Sequence, residues 1–265
     1  MYDFTYHRPT SVADAVALLG SDVDAKALAG GQTFIPVLKQ RLNKPSKVVD
    51  LAGLGLAGIS LSGNALVIGA TTRHAAVAGS ADVRRAIPGL AALAGGIGDN
   101  QVRHRGTIGG SLANNDPAAC YPSAVLALGA TIITNKRRIA SDDFFQGMFS
   151  TALEPGEIIT SVSFPLPVEK SAYAKFNQPA SRFALVGVFV AKGVAGVRVA
   201  VTGAGQNGVF RQTAMEAALT ASWSPDAVAA IKTSAADLNG DIHGSAEYRA
   251  HLITVMAKRA IAAAG

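Results

Sequence analysis

The chain has 265 residues, 49% apolar and 16% charged, which suits one large or two to three small ordered domains and excludes a disordered chain. Lysine and arginine (24) outnumber aspartate and glutamate (18), but the longest basic run is Lys136-Arg137-Arg138 and no aromatic ladder accompanies it, so a solvated basic face or an acidic partner is favoured over nucleic acid. One cysteine, Cys120, excludes an internal disulfide and any zinc or iron–sulfur site built from this chain's own thiolates.

In chain order, the segment TSVADAVALLG predicts a short helix, with Ser11 as its cap, Asp14 in its first turn and Gly20 at its end. Two short apolar segments, KALAGG and KVVDL, flank a helix-like FIPVLKQRL, a strand–helix–strand order that predicts a small α/β unit over residues 1–55. The run AGISLSGNALVIGA alternates around Ser62-Gly63-Asn64 and reads as a hairpin. Helical periodicity follows in SADVRRAIPGLAALAGGIG, broken at Pro88. A loop rich in glycine and asparagine leads to AVLALGATIIT, the turn NKRR and then GEIITSVSFPL, so residues 56–168 are expected to form a mixed sheet with covering helices. Pro165 and Pro167 mark the passage into a third unit, 169–265. That unit has two strands around Lys192–Gly196 and two closing helices. The N-terminus lacks the apolar core of a secretory signal and no apolar run reaches bilayer length, so a cytoplasmic protein with no membrane span is expected.

Three glycine clusters compete for attention. GAGQNG (Gly203, Gly205, Gly208) matches the G-x-G-x-x-G dinucleotide fingerprint. That site needs a following helix, a parallel strand and a terminal acid. Asp226 has the spacing but lies in a Ser-Pro-Asp helix start, and the preceding strand belongs to an antiparallel hairpin. GAGQNG therefore reads as a turn after an edge strand. The other two clusters, LAGGQTFI (28–35) and GTIGGS (106–111), pair glycines with hydroxyl or amide side chains. Backbone N–H groups in such turns can hold a diphosphate without lysine, and Thr33, Thr107 and Ser111 can add hydroxyl donors. For either pair taken alone, a tight turn that needs positive φ is the favoured reading, and composition and spacing leave the ligand unnamed.

Taken together, AGGQTFIPVLKQRLNKPSKVVDL, IGDNQVRHRGTIGGSLANNDPAACYPSAVLAL, GEIITSVSFPLP and YAKFNQPASRFALVGV resemble the FAD-binding medium subunits of molybdenum hydroxylases, the xanthine dehydrogenase and aerobic carbon monoxide dehydrogenase family. The resemblance implies an α+β chain with a vanillyl-alcohol-oxidase-like (PCMH-type) FAD fold: two α/β subdomains and a C-terminal α+β subdomain with an antiparallel sheet. It implies an oxidoreductase subunit whose FAD takes electrons from a small [2Fe–2S] subunit and passes them to an external acceptor. A large subunit would carry the molybdenum cofactor, in a dimer of heterotrimers.

By the same resemblance, Ala29, Gly30, Gly31, Gln32 and Thr33 surround the FAD diphosphate, with Thr107, Gly109, Gly110 and Ser111 as the second wall. Ile97 and Ile159 approach the isoalloxazine ring and Lys175 contacts it. Asn114 and Asp116 meet ribityl or ribose hydroxyls. Leu28, Phe34, Ile35, Ile108 and Cys120 complete the cofactor-binding set. Many relatives carry aspartate where this chain has Cys120, so an expected carboxylate is missing there.

Plainer roles stand beside these. Asp116 precedes a proline and could cap a following helix. Lys175, between aromatics in a strand, could be a snorkelling surface lysine. Cys120 reads as a small buried filler, and Arg103-His104-Arg105 as a solvated loop or a docking edge. His7, His74, His104, His243 and His251 have no metal-ligand spacing. Two other functions compete: a stand-alone flavin oxidoreductase of the same fold, and a module of that fold that has lost its cofactor.

Overall fold

The computed structural model describes all 265 residues. Three strands, β1 (Thr5–His7), β2 (Lys26–Leu28) and β3 (Lys47–Asp50), form a parallel sheet in the order β1-β3-β2. The helix Val12–Gly20 crosses from β1 to β2. Ser11 caps it as predicted, its hydroxyl accepting the Asp14 N–H at 3.1 Å. The shorter helix Phe34–Lys39 crosses from β2 to β3. A small core of Ala15, Val49, Leu51 and Ile158 seals this unit.

The second sheet contains β4 (Ile59–Ser62), β5 (Ala65–Gly69), β6 (Thr131–Thr134), β7 (Arg138–Ala140) and a later strand, Ile159–Pro165. A two-stranded hairpin, β8 (Phe145–Gly147) and β9 (Ser150–Thr151), stands apart, which makes Ile159–Pro165 β10. The order is β4-β5-β10-β6-β7 and every pair is antiparallel. The expected mixed sheet is therefore corrected. The long helical excursion between β5 and β6 does return the chain in the same direction, but β10 inserts between them, antiparallel to both. The excursion includes helices Ala81–Ala86 and Pro88–Gly95, split at Pro88 as predicted, and Tyr121–Ala127, which is buried along its whole length.

A meander of β11 (Val168–Asn177), β12 (Ala184–Gly193), β13 (Gly196–Thr202) and β14 (Phe210–Arg211) forms the third sheet, with helices Thr213–Ala221 and Ala246–Ala264. Strand β12 explains its unbroken apolar sequence by being buried on both faces. Val186, Val188 and Val190 enter a core shared with the two helices, whereas Phe189 and Ala191 enter the core of the second sheet. Strand β13 divides likewise, with Val199 and Val201 on one side and Ala200 on the other. The third sheet is thus fused to the second by packing.

The GAGQNG turn follows β13, which is flanked by β12 and β14 and so is not an edge strand; the short β14 is. A strand, not a helix, follows these glycines. Gly203 adopts φ 83°, and its N–H donates to Pro117 O at 2.7 Å. Thr202 Oγ1 lies 2.7 Å from Ala119 O. The turn therefore braces the 116–119 segment against the third sheet, a structural task.

Candidate functional site

A cavity of about 530 Å³ opens where the first sheet, the helical excursion and β11 meet. One wall is the turn between β2 and helix Phe34–Lys39. Gly31 there has φ 73°, a conformation glycine adopts without penalty. The N–H groups of Ala29, Gly30, Gly31, Gln32, Thr33 and Phe34 donate to no acceptor in the protein. Six consecutive donors beside a cavity, none engaged by the protein, form an anion-binding surface. Thr33 precedes the helix without capping it, so its hydroxyl is free as well.

The second wall differs from expectation. Residues Ile108–Asn114 are a helix, not a glycine loop, and neither Gly109 nor Gly110 has positive φ. The Ile108 N–H donates to Thr72 O at 3.2 Å, the Gly109 N–H to Ala70 O at 2.8 Å and the Gly110 N–H to Thr107 Oγ1 at 3.2 Å. The helix's first amides are thereby consumed, leaving the Thr107 N–H and the Ser111 hydroxyl as donors. Small residues serve close approach instead: a Cβ on Gly109 would lie 2.7 Å from Ala70 Cβ. The preceding Arg103-His104-Arg105 also belongs to a helix, Asn100–Arg105, capped by Asp99 accepting from the Val102 N–H, so the loop reading is corrected.

Of the expected site residues, Ala29, Gly30, Gly31, Gln32, Thr33, Phe34, Ile97, Thr107, Gly109, Gly110, Ser111, Asn114, Asp116, Cys120, Ile159 and Lys175 all line this cavity. Leu28, Ile35 and Ile108 do not. Leu28 and Ile35 lie behind the Gly31 turn, where a Cβ on that glycine would meet Ile35 Cδ1 at 2.6 Å and Leu28 Cδ1 at 3.3 Å, so they buttress it. Ile108 is wholly buried in the core of the second sheet.

Asp116 divides its roles. Oδ1 accepts the Ala118 N–H at 2.9 Å and so caps the local turn, not the helix Tyr121–Ala127, which has no side-chain cap. Lys175 is no free surface lysine. Its ammonium donates to Gly96 O at 2.8 Å, to Arg182 O at 2.9 Å and to Cys120 Sγ at 3.6 Å. Those three acceptors match its three N–H bonds. No carboxylate stands within ion-pair distance of it. Cys120 is buried, as a filler would be, yet its sulfur touches the Lys175 ammonium.

Sequence reasoning missed several lining residues, among them His74, Glu157, Arg182 and Phe183. Burial disfavours ionisation of Glu157, but Arg137, the Glu154 N–H and the Thr134 hydroxyl outweigh it and hold the carboxyl down at about 2. Its neighbour Ile159, named for the ring, gave the only sequence signal for that position. Burial, reinforced by Arg103, lowers His74 to about 4, so its imidazole is neutral at ordinary pH. Nothing in local sequence distinguishes His74, because its role depends on segments that meet only in the fold.

Comparison with known proteins identifies the family of the chain. A family described as the FAD binding domain in molybdopterin dehydrogenase matches residues 2–167, and one described as the CO dehydrogenase flavoprotein C-terminal domain matches residues 171–264. The chain belongs to the FAD-binding medium subunits of the molybdenum hydroxylases. Among these medium subunits, the nicotine 6-hydroxylase medium subunit of Paenarthrobacter nicotinovorans is 37% identical, over 98% of this chain and 96% of its own length. The carbon monoxide dehydrogenase medium chain of Afipia carboxidovorans is 35% identical over 97% and 95%. A solved structure, reconstituted CO dehydrogenase from Oligotropha carboxidovorans, contains a chain that superposes with TM-score 0.90 at 34% identity, covering 99% of this chain and 97% of that one. Quinoline 2-oxidoreductase from Pseudomonas putida 86 gives 0.87 at 29% identity, covering 99% and 96%. The fold is accordingly the α+β PCMH-type FAD fold, the cofactor is FAD, and the medium subunit is an oxidoreductase component.

The residues present fit that cofactor. An FAD diphosphate needs many donors and close backbone approach, and the 29–34 turn supplies both. No helix is long and apolar enough to cross a membrane.

Proposed function

We propose that this chain is the flavin-bearing electron-transfer subunit of a cytoplasmic molybdenum hydroxylase, working between a small [2Fe–2S] subunit and an external electron acceptor. A large molybdenum-cofactor subunit completes the complex, arranged as a dimer of heterotrimers. The observation that carries this reading is the row of six unspent amides at Ala29–Phe34 facing a cavity in a chain that matches the medium subunits over nearly its whole length. FAD, when bound, supplies the capacity to take up single electrons and release them singly or in pairs.

The protein's own contribution is to hold and to insulate. The 29–34 turn binds the diphosphate, with Thr107, Ser111, Asn114 and Asp116 offering polar atoms on the opposite side. Ile97, Ile159 and Phe183 supply apolar surface that limits water. Lys175 keeps an uncompensated positive charge at the cavity, a field that favours a reduced, anionic occupant. We assign residues 1–55 and 56–168 as the two FAD-binding subdomains and 169–265 as the C-terminal subdomain.

Purification of the native complex, with flavin, iron and molybdenum assayed together, tests the reading. Stoichiometric FAD with iron and molybdenum in partner chains is expected. A complex with flavin alone that turns over a substrate would overturn it.

A further inference from the structure

Among the residues that line the cavity, His74 alone buries a side-chain nitrogen or oxygen that has no hydrogen-bond partner. It begins the helix His74–Gly79 and is 95% buried, at 5% exposure. Its backbone N–H donates to Gly106 O at 3.0 Å, tying it to the segment that enters the second wall. Neither ring nitrogen has a hydrogen-bond partner. Nδ1 is enclosed, whereas Nε2 is not, in a residue that lines the cavity. The ring is held in place by Tyr121, centroid to centroid 5.3 Å, and by Gly106, where a Cβ would lie 2.5 Å from Nε2. Gly106 is also where the two walls touch, since a Cβ on Gly30 would lie 2.7 Å from Gly106 Cα. The imidazole thus sits at the seam beside the unspent 29–34 amides.

Nε2 has no hydrogen-bond partner within the protein, so a ligand in the cavity can supply one. With Nδ1 enclosed and no acceptor beside it, the proton belongs on Nε2, which then points a donor at the cavity. We infer that His74 is a third element of the diphosphate cradle, donating from Nε2 to a diphosphate oxygen of FAD. The inference rests on the flavin reading above and extends it to a residue outside both glycine walls. A neutral donor suits this place, because it adds a hydrogen bond without adding charge beside Arg103.

Binding of FAD, ADP and riboflavin to the full chain, followed by fluorescence and calorimetry, tests it. His74→Phe keeps the ring packing against Tyr121 and removes the donor. It is expected to weaken FAD and ADP by about tenfold or more, the loss typical of a hydrogen bond to a charged group, and to leave riboflavin unchanged. His74→Gln, which can still present an N–H, should recover much of that loss. Gly106→Ala should mimic His74→Phe by displacing the ring. Equal FAD affinity in wild type and His74→Phe would overturn the assignment, as would a loss confined to riboflavin. Should His74→Phe fail to fold, histidine ¹⁵N shifts in the wild type decide: His74 Nε2 must move on addition of FAD and of pyrophosphate, and a static signal refutes the contact. Failure of the wild type to bind FAD at all would instead refute the flavin reading itself.

Discussion

Gly30 and Gly106 touch across the mouth of the cradle: a Cβ built on Gly30 would lie 2.7 Å from Gly106 Cα and collide with the Arg105 carbonyl oxygen. Both obstacles are backbone, so neither can swing aside. Gly30→Ala should therefore force the walls apart, costing about 1–3 kcal/mol of stability and most of the FAD occupancy. Gly110→Ala should be milder, because its nearest obstacles are the Thr107 hydroxyl oxygen at 2.9 Å and Ala29 Cβ at 3.5 Å. Flavin content and melting temperature of the two variants give the comparison. A Gly110 variant worse than the Gly30 variant would place the tight contact elsewhere.

Lys175 joins the end of helix Pro88–Gly95, the 178–183 loop and Cys120 through one ammonium group. Lys175→Met should release the Arg182 carbonyl, so hydrogen exchange is expected to rise over residues 178–183 and stability to drop by about 1–3 kcal/mol. The flavin potential should fall, because a positive charge near the cavity is lost. Cys120→Asp should keep the loop ordered while also lowering the potential, by pairing the ammonium. Potentiometric titration separates the two effects. Unchanged potentials in both variants would show that this corner does not tune the flavin.

His74 gives a pH window of its own. Its native value of about 4 lies below the ordinary 6.5, so the unfolded chain takes up a proton first as pH falls. Stability is therefore lost progressively from about pH 6.5 towards 4, by up to about 3 kcal/mol. The groups facing the ring are Arg103, which opposes its protonation, and Tyr121, whose phenol burial keeps neutral. His74→Phe should flatten the pH 6.5–4.5 slope of the denaturation midpoint. An identical slope in both proteins would assign the acid sensitivity to other groups.

Glu157 acts in a lower range. Its carboxyl is held at about 2, so its contribution is present above the ordinary carboxylate value and is lost as pH falls from about 4.5 towards 2. Glu157→Gln should cost about 1–3 kcal/mol at neutral pH by leaving Arg137 without its partner, discounted because Arg137 is partly exposed. Urea titrations at pH 7 and pH 3 make the test: the two proteins should converge at the lower pH.

Much of this molecule could be read before it was seen. Ser11, Pro88 and the Ser62–Asn64 turn marked element ends through local chemistry, and those ends stand where capping and hairpin rules put them. Of the 19 residues expected from the four family motifs, 16 line one cavity. Leu28 and Ile35 pack against the Gly31 turn and Ile108 is buried in the core of the second sheet, placements that only packing decides.

The tertiary structure alone decided the sheet's polarity, because the placement of β10 between β5 and β6 depends on pairing with β5, some ninety residues earlier in the chain. It also decided which glycines offer amides. Gly-Gly at 30–31 and Gly-Gly at 109–110 look alike in sequence. The first pair meets no acceptor, while the second is met by the carbonyl of Ala70 and the hydroxyl of Thr107. The sequence sets which residues can make a compact donor-rich turn, and the resemblance of its four motifs to a flavin-binding family supplies the cofactor's name. Which donors remain free is a property of what folds against them, and only the packed chain determines that.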